Sequence, residues 1–213
     1  MYIKNRLFPL AIAATACLLT SPRLGATEAD EPMPEEPATP ALPWIDDFRG
    51  AREDIGWQAV NDGVMGGLSE GGPIKHDDFL RFSGNLSLEN NGGFSSIRRS
   101  VALDLSQASG VRLLVRGDGR TYQFRFQTDA RLQNRWAVAF SGAFETKKDE
   151  WVEVVVPFSE LSQSFRGYQF DNYTFDPTKI ERLGIILADK KPGPFQLDIA
   201  WIAPEPIETA LSE

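Results

Sequence analysis

Apolar and polar positions alternate in short runs from Trp44 onward, the period of two expected where one side of a strand is buried and the other is wet. The runs fall at 79–88 (FLRFSGNLSL), 94–105 (FSSIRRSVALDL), 111–117 (VRLLVRG), 121–128 (TYQFRFQT), 135–142 (RWAVAFSG), 151–157 (WVEVVVP), 182–189 (RLGIILAD) and 195–202 (FQLDIAWI). Helical spacing is almost absent, so the pattern predicts an all-β sandwich or barrel. Gly117-Asp118-Gly119 has the composition of a hairpin turn. Asn90-Asn91-Gly92-Gly93 is a second turn, built of residues that tolerate positive φ, and neighbouring segments are expected to run antiparallel. Proline beside capping residue types predicts a helical turn at Pro157–Leu161 and another at Asp176–Ile180. The expected architecture is a single jelly-roll β-sandwich over residues 44–203, with a frayed tail over 204–213.

The N-terminal end changes the picture of where such a domain works. Lys4 and Arg6 precede an apolar run from Leu7 to Leu19, and Leu24-Gly25-Ala26 supplies small residues for a signal peptidase, so residues 1–26 read as an export signal. The expected product is exported, to a periplasmic or extracellular space. Cys17 is the single cysteine of the 213 residues and lies inside that signal, which leaves the mature domain without a disulfide or a cysteine metal site. Ala14-Thr15-Ala16-Cys17 also resembles a lipoprotein processing site, although the apolar Leu18-Leu19 favours cleavage near Ala26. A lipid anchor at Cys17 would be the one route to membrane attachment. Residues 27–43 (TEADEPMPEEPATPALP) hold five acidic residues, five prolines and no base, the composition of an extended linker. Of the formal net charge of −8 that segment contributes −5 and the export signal +3, leaving −6 on residues 44–213. An acidic domain lacks the concentrated basic surface that nonspecific nucleic-acid binding requires.

The stretch 57–72 (WQAVNDGVMGGLSEGG) has the look of a chemical site. Gly67-Leu68-Ser69-Glu70-Gly71 fits the G-x-S-x-G pattern of hydrolase nucleophiles, but that pattern has meaning only at a strand-to-helix turn with a histidine in reach. The next residues are the helix-hostile Gly72-Pro73, and the sole histidine, His76, falls in the next turn. Gly72 stands where a Walker loop needs lysine, and no G-x-G-x-x-G occurs in the stretch. His76 with Asp77 and Asp78 has the character of a solvated loop rather than a metal site, and no cofactor or metal is expected. Structural calcium held by carboxylates and carbonyls stays compatible with the sequence. No pair of the 30 acidic residues is singled out for glycosidase chemistry. Trp57, Trp136, Trp151, Trp201, Tyr122 and Tyr168 have the rings to stack on sugars, but tryptophan on an alternating strand is more often core.

Taken together, Trp57-x-x-x-Asn61-Asp62-Gly63-Val64-Met65-Gly66-Gly67-x-Ser69, Phe82-x-Gly84, Asn90-Asn91-Gly92-Gly93-Phe94-x-Ser96-x-Arg98, Trp151 with Pro157-Phe158, and Gly193-Pro194-Phe195 resemble the complex I intermediate-associated protein 30 family. The resemblance implies a galactose-binding-like β-sandwich over nearly all of 44–203, a chaperone-like role toward a protein partner, and no catalytic residues. In physical terms Asp62-Gly63 suits a tight turn, Gly66-Gly67 a close backbone approach, and Asn61 or Ser69 the satisfaction of backbone groups there. The same edge, with neighbours, is the candidate ligand or partner surface: Trp57, Asn61, Asp62, Met65, Ser69, Arg98, Arg125, Asn134 and Trp136. The expected function is a non-catalytic binding or assembly-factor domain for a protein partner, with a carbohydrate-binding module as the alternative.

Overall fold

The computed structural model describes residues 43–50 and 55–207, so residues 1–26, expected as an export signal, most of the acidic linker and the last residues of the tail lie outside the described residues. Fifteen strands follow in chain order: β1 (Asp46–Asp47), β2 (Gln58–Ala59), β3 (Glu70–Lys75), β4 (Leu80–Leu86), β5 (Ser95–Leu103), β6 (Ala108–Gly117), β7 (Thr121–Gln127), β8 (Arg131–Leu132), β9 (Trp136–Ala137), β10 (Ala139–Glu145), β11 (Trp151–Pro157), β12 (Ser162–Phe165), β13 (Tyr168–Phe170), β14 (Ile180–Leu187) and β15 (Gly193–Pro206). One sheet has six strands, ordered β11-β6-β15-β4-β3 with β1 added against β15. The other has seven, ordered β13-β12-β10-β7-β14-β5-β2, and β8-β9 is a separate ribbon. Every strand pair in these ladders is antiparallel. The only helical turns among the described residues are short 3-10 pieces, one of them at Phe158–Glu160, inside the segment where proline and capping residues predict it.

The two sheets enclose one core because each strand's apolar positions share a phase. Leu80, Phe82, Val111, Leu113, Val115, Leu197 and Ile199 from the six-stranded sheet meet Ile97, Phe124, Phe126, Phe140, Leu183 and Ile185 from the seven-stranded one, all buried. Fully burying one such side chain is worth about 1.5–3 kcal/mol, so this layer dominates stability. A second, smaller cluster lies on the opposite side of β15 and β6. There Trp201 packs with Leu114, Ala200 and Ala203, and Trp44 covers it at a ring-centroid distance of 5.0 Å. β15 is therefore buried on both faces, which explains its nearly continuous apolar sequence.

Three local expectations differ from the structure. Gly117-Asp118-Gly119 is no hairpin turn: β6 lies in the six-stranded sheet and β7 in the seven-stranded one, so the turn is an arch between layers. Asp118 holds the arch by accepting from Tyr122 Oη at 3.1 Å and from the Gln196 backbone N–H at 3.0 Å. At Asp176–Ile180 a single β-turn stands in place of a helical one, closed by the Lys179 N–H on the Asp176 carbonyl at 3.3 Å and by the Thr178 N–H and hydroxyl, which both donate to Asp176 Oδ1 at 3.0 and 2.7 Å. Pairing of β15 continues to Pro206 against Ala108, past the point where the sequence predicts a frayed tail. The glycine-rich 70–75 segment is a strand despite Pro73, because β3 is an edge and needs no N–H on its outer side.

Candidate functional site

Asp62 organises the glycine-rich stretch. Its carboxylate is fully buried and accepts four hydrogen bonds: the Ser69 N–H (2.9 Å), the Ser69 hydroxyl (2.6 Å), the Gly93 N–H (2.7 Å) and the Phe94 N–H (3.2 Å). Burial works against the ion, but these donors outweigh it and hold the Asp62 carboxyl below the usual carboxylate range. Gly66 follows in the left-handed region at φ 88°. A Cβ on Gly67 would stand 2.4 Å from the Asp62 carboxyl carbon, so glycine is required there for the carboxylate to be seated. Asn61 completes the arrangement by donating to the Gly71 carbonyl at 2.9 Å and accepting from the Ser95 hydroxyl at 2.7 Å, which ties β3 to β5 in the other sheet. Ser69 Oγ also accepts from the Ser87 N–H at 3.0 Å. His76 stacks on Phe79 instead of serving the serine.

The nominated residues fall into three groups that no hydrogen bond or ring contact links among the described residues. Trp57, Asn61, Asp62 and Ser69 belong to the interior or its margin; Trp57 is core and donates from its indole N–H to Asp46 at 3.0 Å. Met65 alone of that stretch's nominees is well exposed, at 56%. Asn134 sits at positive φ in the β8–β9 turn, and Trp136 stacks tilted on Phe165 at 5.6 Å with Arg135 over its ring. Arg98 and Arg125 lie on the outer face of the seven-stranded sheet.

That outer face is set by register. Side chains alternate along a strand, so residues out of phase with the core point away from it. Gln58 pairs with Arg98, Arg98 with Gly184, Gly184 with Arg125, Arg125 with Ser141, and Ser141 with Ser162, forming one row across six strands. Arg182, Gln127 and Ser100 form part of the neighbouring row. Arg125 donates to Ser141 Oγ at 3.0 Å, and no carboxylate among the described residues pairs with Arg98 or Arg125. Burial pushes the Arg125 guanidinium down to about 10, and the Arg98 charge adds to the shift. Arg98 is lowered as well, by burial first and then by the charge of Arg182. Positive charges crowd here with no carboxylate bound to Arg98 or Arg125 among the described residues.

The six-stranded sheet carries a comparable row. Arg81 pairs with Asp198, Asp198 with Arg116, and Arg116 with Trp151. Asp198 is fully buried. Arg81 donates to both its oxygens at 2.7 and 2.9 Å, and Arg116 donates to Oδ2 at 3.2 and 3.0 Å. Arg116 also lies over the rings of Trp151 and Phe79, and Arg81 over Phe79. Nothing in the sequence pattern marks Asp198 as a hub beyond its being the lone acid in the apolar run 195–202.

The two-layer antiparallel sandwich is an architecture shared with carbohydrate-binding modules. The family 11 module of a cellulosomal cellulase of Clostridium thermocellum superposes with a TM-score of 0.60 at 15% identity, covering 81% of this chain and 99% of the module. A Clostridium thermocellum family 11 module in complex with a β-1,3-1,4-mixed-linked tetrasaccharide gives 0.56 at 16% identity, covering 76% and 95%. Within that architecture, residues 47–199 match the family described as Complex I intermediate-associated protein 30, and the chain belongs to that family. The mitochondrial Complex I intermediate-associated protein 30 of Mus musculus is 32% identical over 141 residues, which span 65% of this chain and 42% of that protein. The Drosophila melanogaster protein of the same name is 26% identical over 133 residues, 61% of this chain and 45% of its own length. The matched region thus spans less than half of these curated relatives.

Proposed function

We propose that the chain is a non-catalytic, exported binding domain of the assembly-factor kind, and that it grips a protein partner with the outer face of its seven-stranded sheet. The observation that carries this reading is the row Gln58–Arg98–Gly184–Arg125–Ser141–Ser162, a polar surface whose arginines have no internal acid. The residues that look most like chemistry, Asp62 and Ser69, are engaged in holding the glycine-rich stretch together. Family membership supports an assembly role, since the relatives are named for intermediates of complex I. The basic start and apolar run of residues 4–19 support export.

A second reading, carbohydrate binding, is favoured by the exposed Gln58 amide and Ser162 hydroxyl on that same face. It draws on the likeness to a module seen with a tetrasaccharide. Crosslinking in the native host envelope with mass spectrometry, beside retention on a mixed-linkage glucan column, separates the two. The assembly reading expects a stoichiometric crosslinked protein and no retention; retention without a crosslinked protein reverses the assignment. The mature N-terminus in the same preparation should lie near Thr27, and an intact Met1 start would remove the export proposal.

A further inference from the structure

The two outer faces hold the same cross-strand arrangement with one residue exchanged. On the six-stranded sheet the row reads Arg81–Asp198–Arg116, and on the seven-stranded sheet Arg98–Gly184–Arg125. In both, two arginines flank a central strand. In the first the central residue is a carboxylate that both guanidiniums grip; in the second it is a glycine, buried beneath the stems of the two arginines, that offers them no carboxylate. We propose that the notch over Gly184 is a carboxylate-binding site, filled by an aspartate or glutamate side chain of an acidic peptide segment of the partner. This rests on the binding-domain reading above and names the chemistry its partner must present.

The geometry of the notch is specific. Two strand spacings of about 4.8 Å put the Arg98 and Arg125 Cα atoms roughly 10 Å apart. A Cβ placed on Gly184 would stand 3.4 Å from the Ile97 carbonyl oxygen, 3.6 Å from Arg98 Cγ and 3.7 Å from Arg125 Cβ, so the two arginine stems pack over the glycine and bring their guanidiniums to either side of it. Half-buried guanidiniums with no carboxylate partner have already lost part of their hydration, and an incoming carboxylate recovers it through charge-assisted, fork-like hydrogen bonds. Arg182 adds a third positive charge in the next row, where Gln127 accepts from it at 3.0 Å. The choice of a peptide over an acidic sugar follows from Asp198. The carboxylate that solves the equivalent row is an aspartate side chain, on a stem short enough to sit between the arginines.

The test is calorimetric titration of the folded chain with a short oligo-L-glutamate peptide, with oligogalacturonate and with mixed-linkage glucan oligosaccharide. The glutamate peptide is expected to bind best, and Arg98→Gln and Arg125→Gln are each expected to weaken it about tenfold or more, the worth of one charge-assisted hydrogen bond. Gly184→Asp supplies the missing acid from within. Its Cβ meets only ordinary van der Waals contacts, so the variant should keep or raise its melting temperature while losing the peptide. Lys147→Gln, on an exposed cation paired with Glu150, should leave binding unchanged. Galacturonate binding as tightly as the peptide overturns the peptide assignment. So does loss in Lys147→Gln equal to that in Arg98→Gln, which means diffuse charge attraction. Peptide binding undiminished in Gly184→Asp removes the notch itself. If neither acid probe binds while the envelope crosslink persists in Arg98→Gln and Arg125→Gln, this inference fails and the assembly reading stands. Loss of the crosslink in wild type with glucan retention removes both.

Discussion

The two outer faces of the sandwich solve the problem of paired arginines in opposite ways. On the six-stranded sheet, Asp198 is buried between Arg81 and Arg116, and the aromatic rings of Phe79 and Trp151 lie under the guanidiniums. That face behaves as a second interior, continuous with the Trp44–Trp201 cluster. On the seven-stranded sheet, Arg98 and Arg125 flank Gly184, and among the described residues only a serine hydroxyl is bonded to one of their guanidiniums. The difference lies in a single position. A buried acid between two guanidiniums makes a structural lock, whereas the same guanidiniums around a glycine keep their binding capacity for something outside the chain.

Removing the lock should have the largest effect. Asp198→Ala takes away the acceptor that Arg81 and Arg116 share, and a loss of about 3–5 kcal/mol is expected in denaturant titration, as for a broken buried ion pair. A loss below about 1 kcal/mol would mean that the outer row is not structural and would dissolve the contrast. Trp201→Ala probes the same face by cavity formation and should cost about 3–5 kcal/mol. Trp151→Ala should cost clearly less, because that ring is only half-buried. Melting curves of the two variants would rank them.

Asp62→Asn is a control inside the structure, since it tests a lock of hydrogen bonds without an ion pair. An amide cannot accept from all four donors, and a loss of about 1–3 kcal/mol is expected. Its pH signature follows from the direction of the shift. The folded carboxyl is depressed, so Asp62 contributes stability above its unfolded value of about 3.9 and loses it as pH falls through the lower folded value. Acid titration of wild type should show this loss below about pH 4, and Asp62→Asn should flatten it. The smallest effect belongs to the open face. Arg98→Gln is expected to stay within about 0.5 kcal/mol of wild type in stability, since it breaks no ion pair, and Arg125→Gln to cost about 1 kcal/mol for its bond to the buried Ser141 hydroxyl. A large destabilisation in either would turn that face into a second lock.

The alternation of apolar positions located the long strands, because each has one wet face and its phase can be read locally. Short partners escaped: β1, β2, β8, β12 and β13 run for four residues or fewer, and the period of two needs more positions to show; the six-residue β3 escaped because its glycines and proline carry no alternation. Layer membership was also hidden. Asp118 and its flanking glycines have hairpin chemistry, yet whether the next strand joins the same sheet depends on how Tyr122 and Gln196 meet Asp118 across the fold. At the candidate site, the sequence names Arg98 and Arg125 as neighbours of the glycine-rich edge, whereas register sets them together on the outer face of the seven-stranded sheet. Gly184 did not stand out, because its meaning comes from lying between them across two ladders whose register no local pattern encodes. The glycine-rich stretch resolved differently: its serine and aspartate sit in the right order for chemistry but are spent on each other and on backbone N–H groups.

β15 carries one further consequence, for the order in which the domain is made. This strand joins β4 to β6 and receives β1, so it is the middle of its sheet, yet it follows the other fourteen strands in the chain. Until it emerges from the ribosome, the β3–β4 hairpin and the β6–β11 pair have no common partner, and each presents an open edge to its surroundings. A topology so dependent on distant pairings folds slowly, on the millisecond-to-second scale typical of β-sandwiches, and its waiting edges are templates for pairing with other chains. The nascent polypeptide is therefore most vulnerable in the interval before Gly193–Pro206 is available, and a truncation at Lys191 should yield chains that aggregate through those unclosed edges.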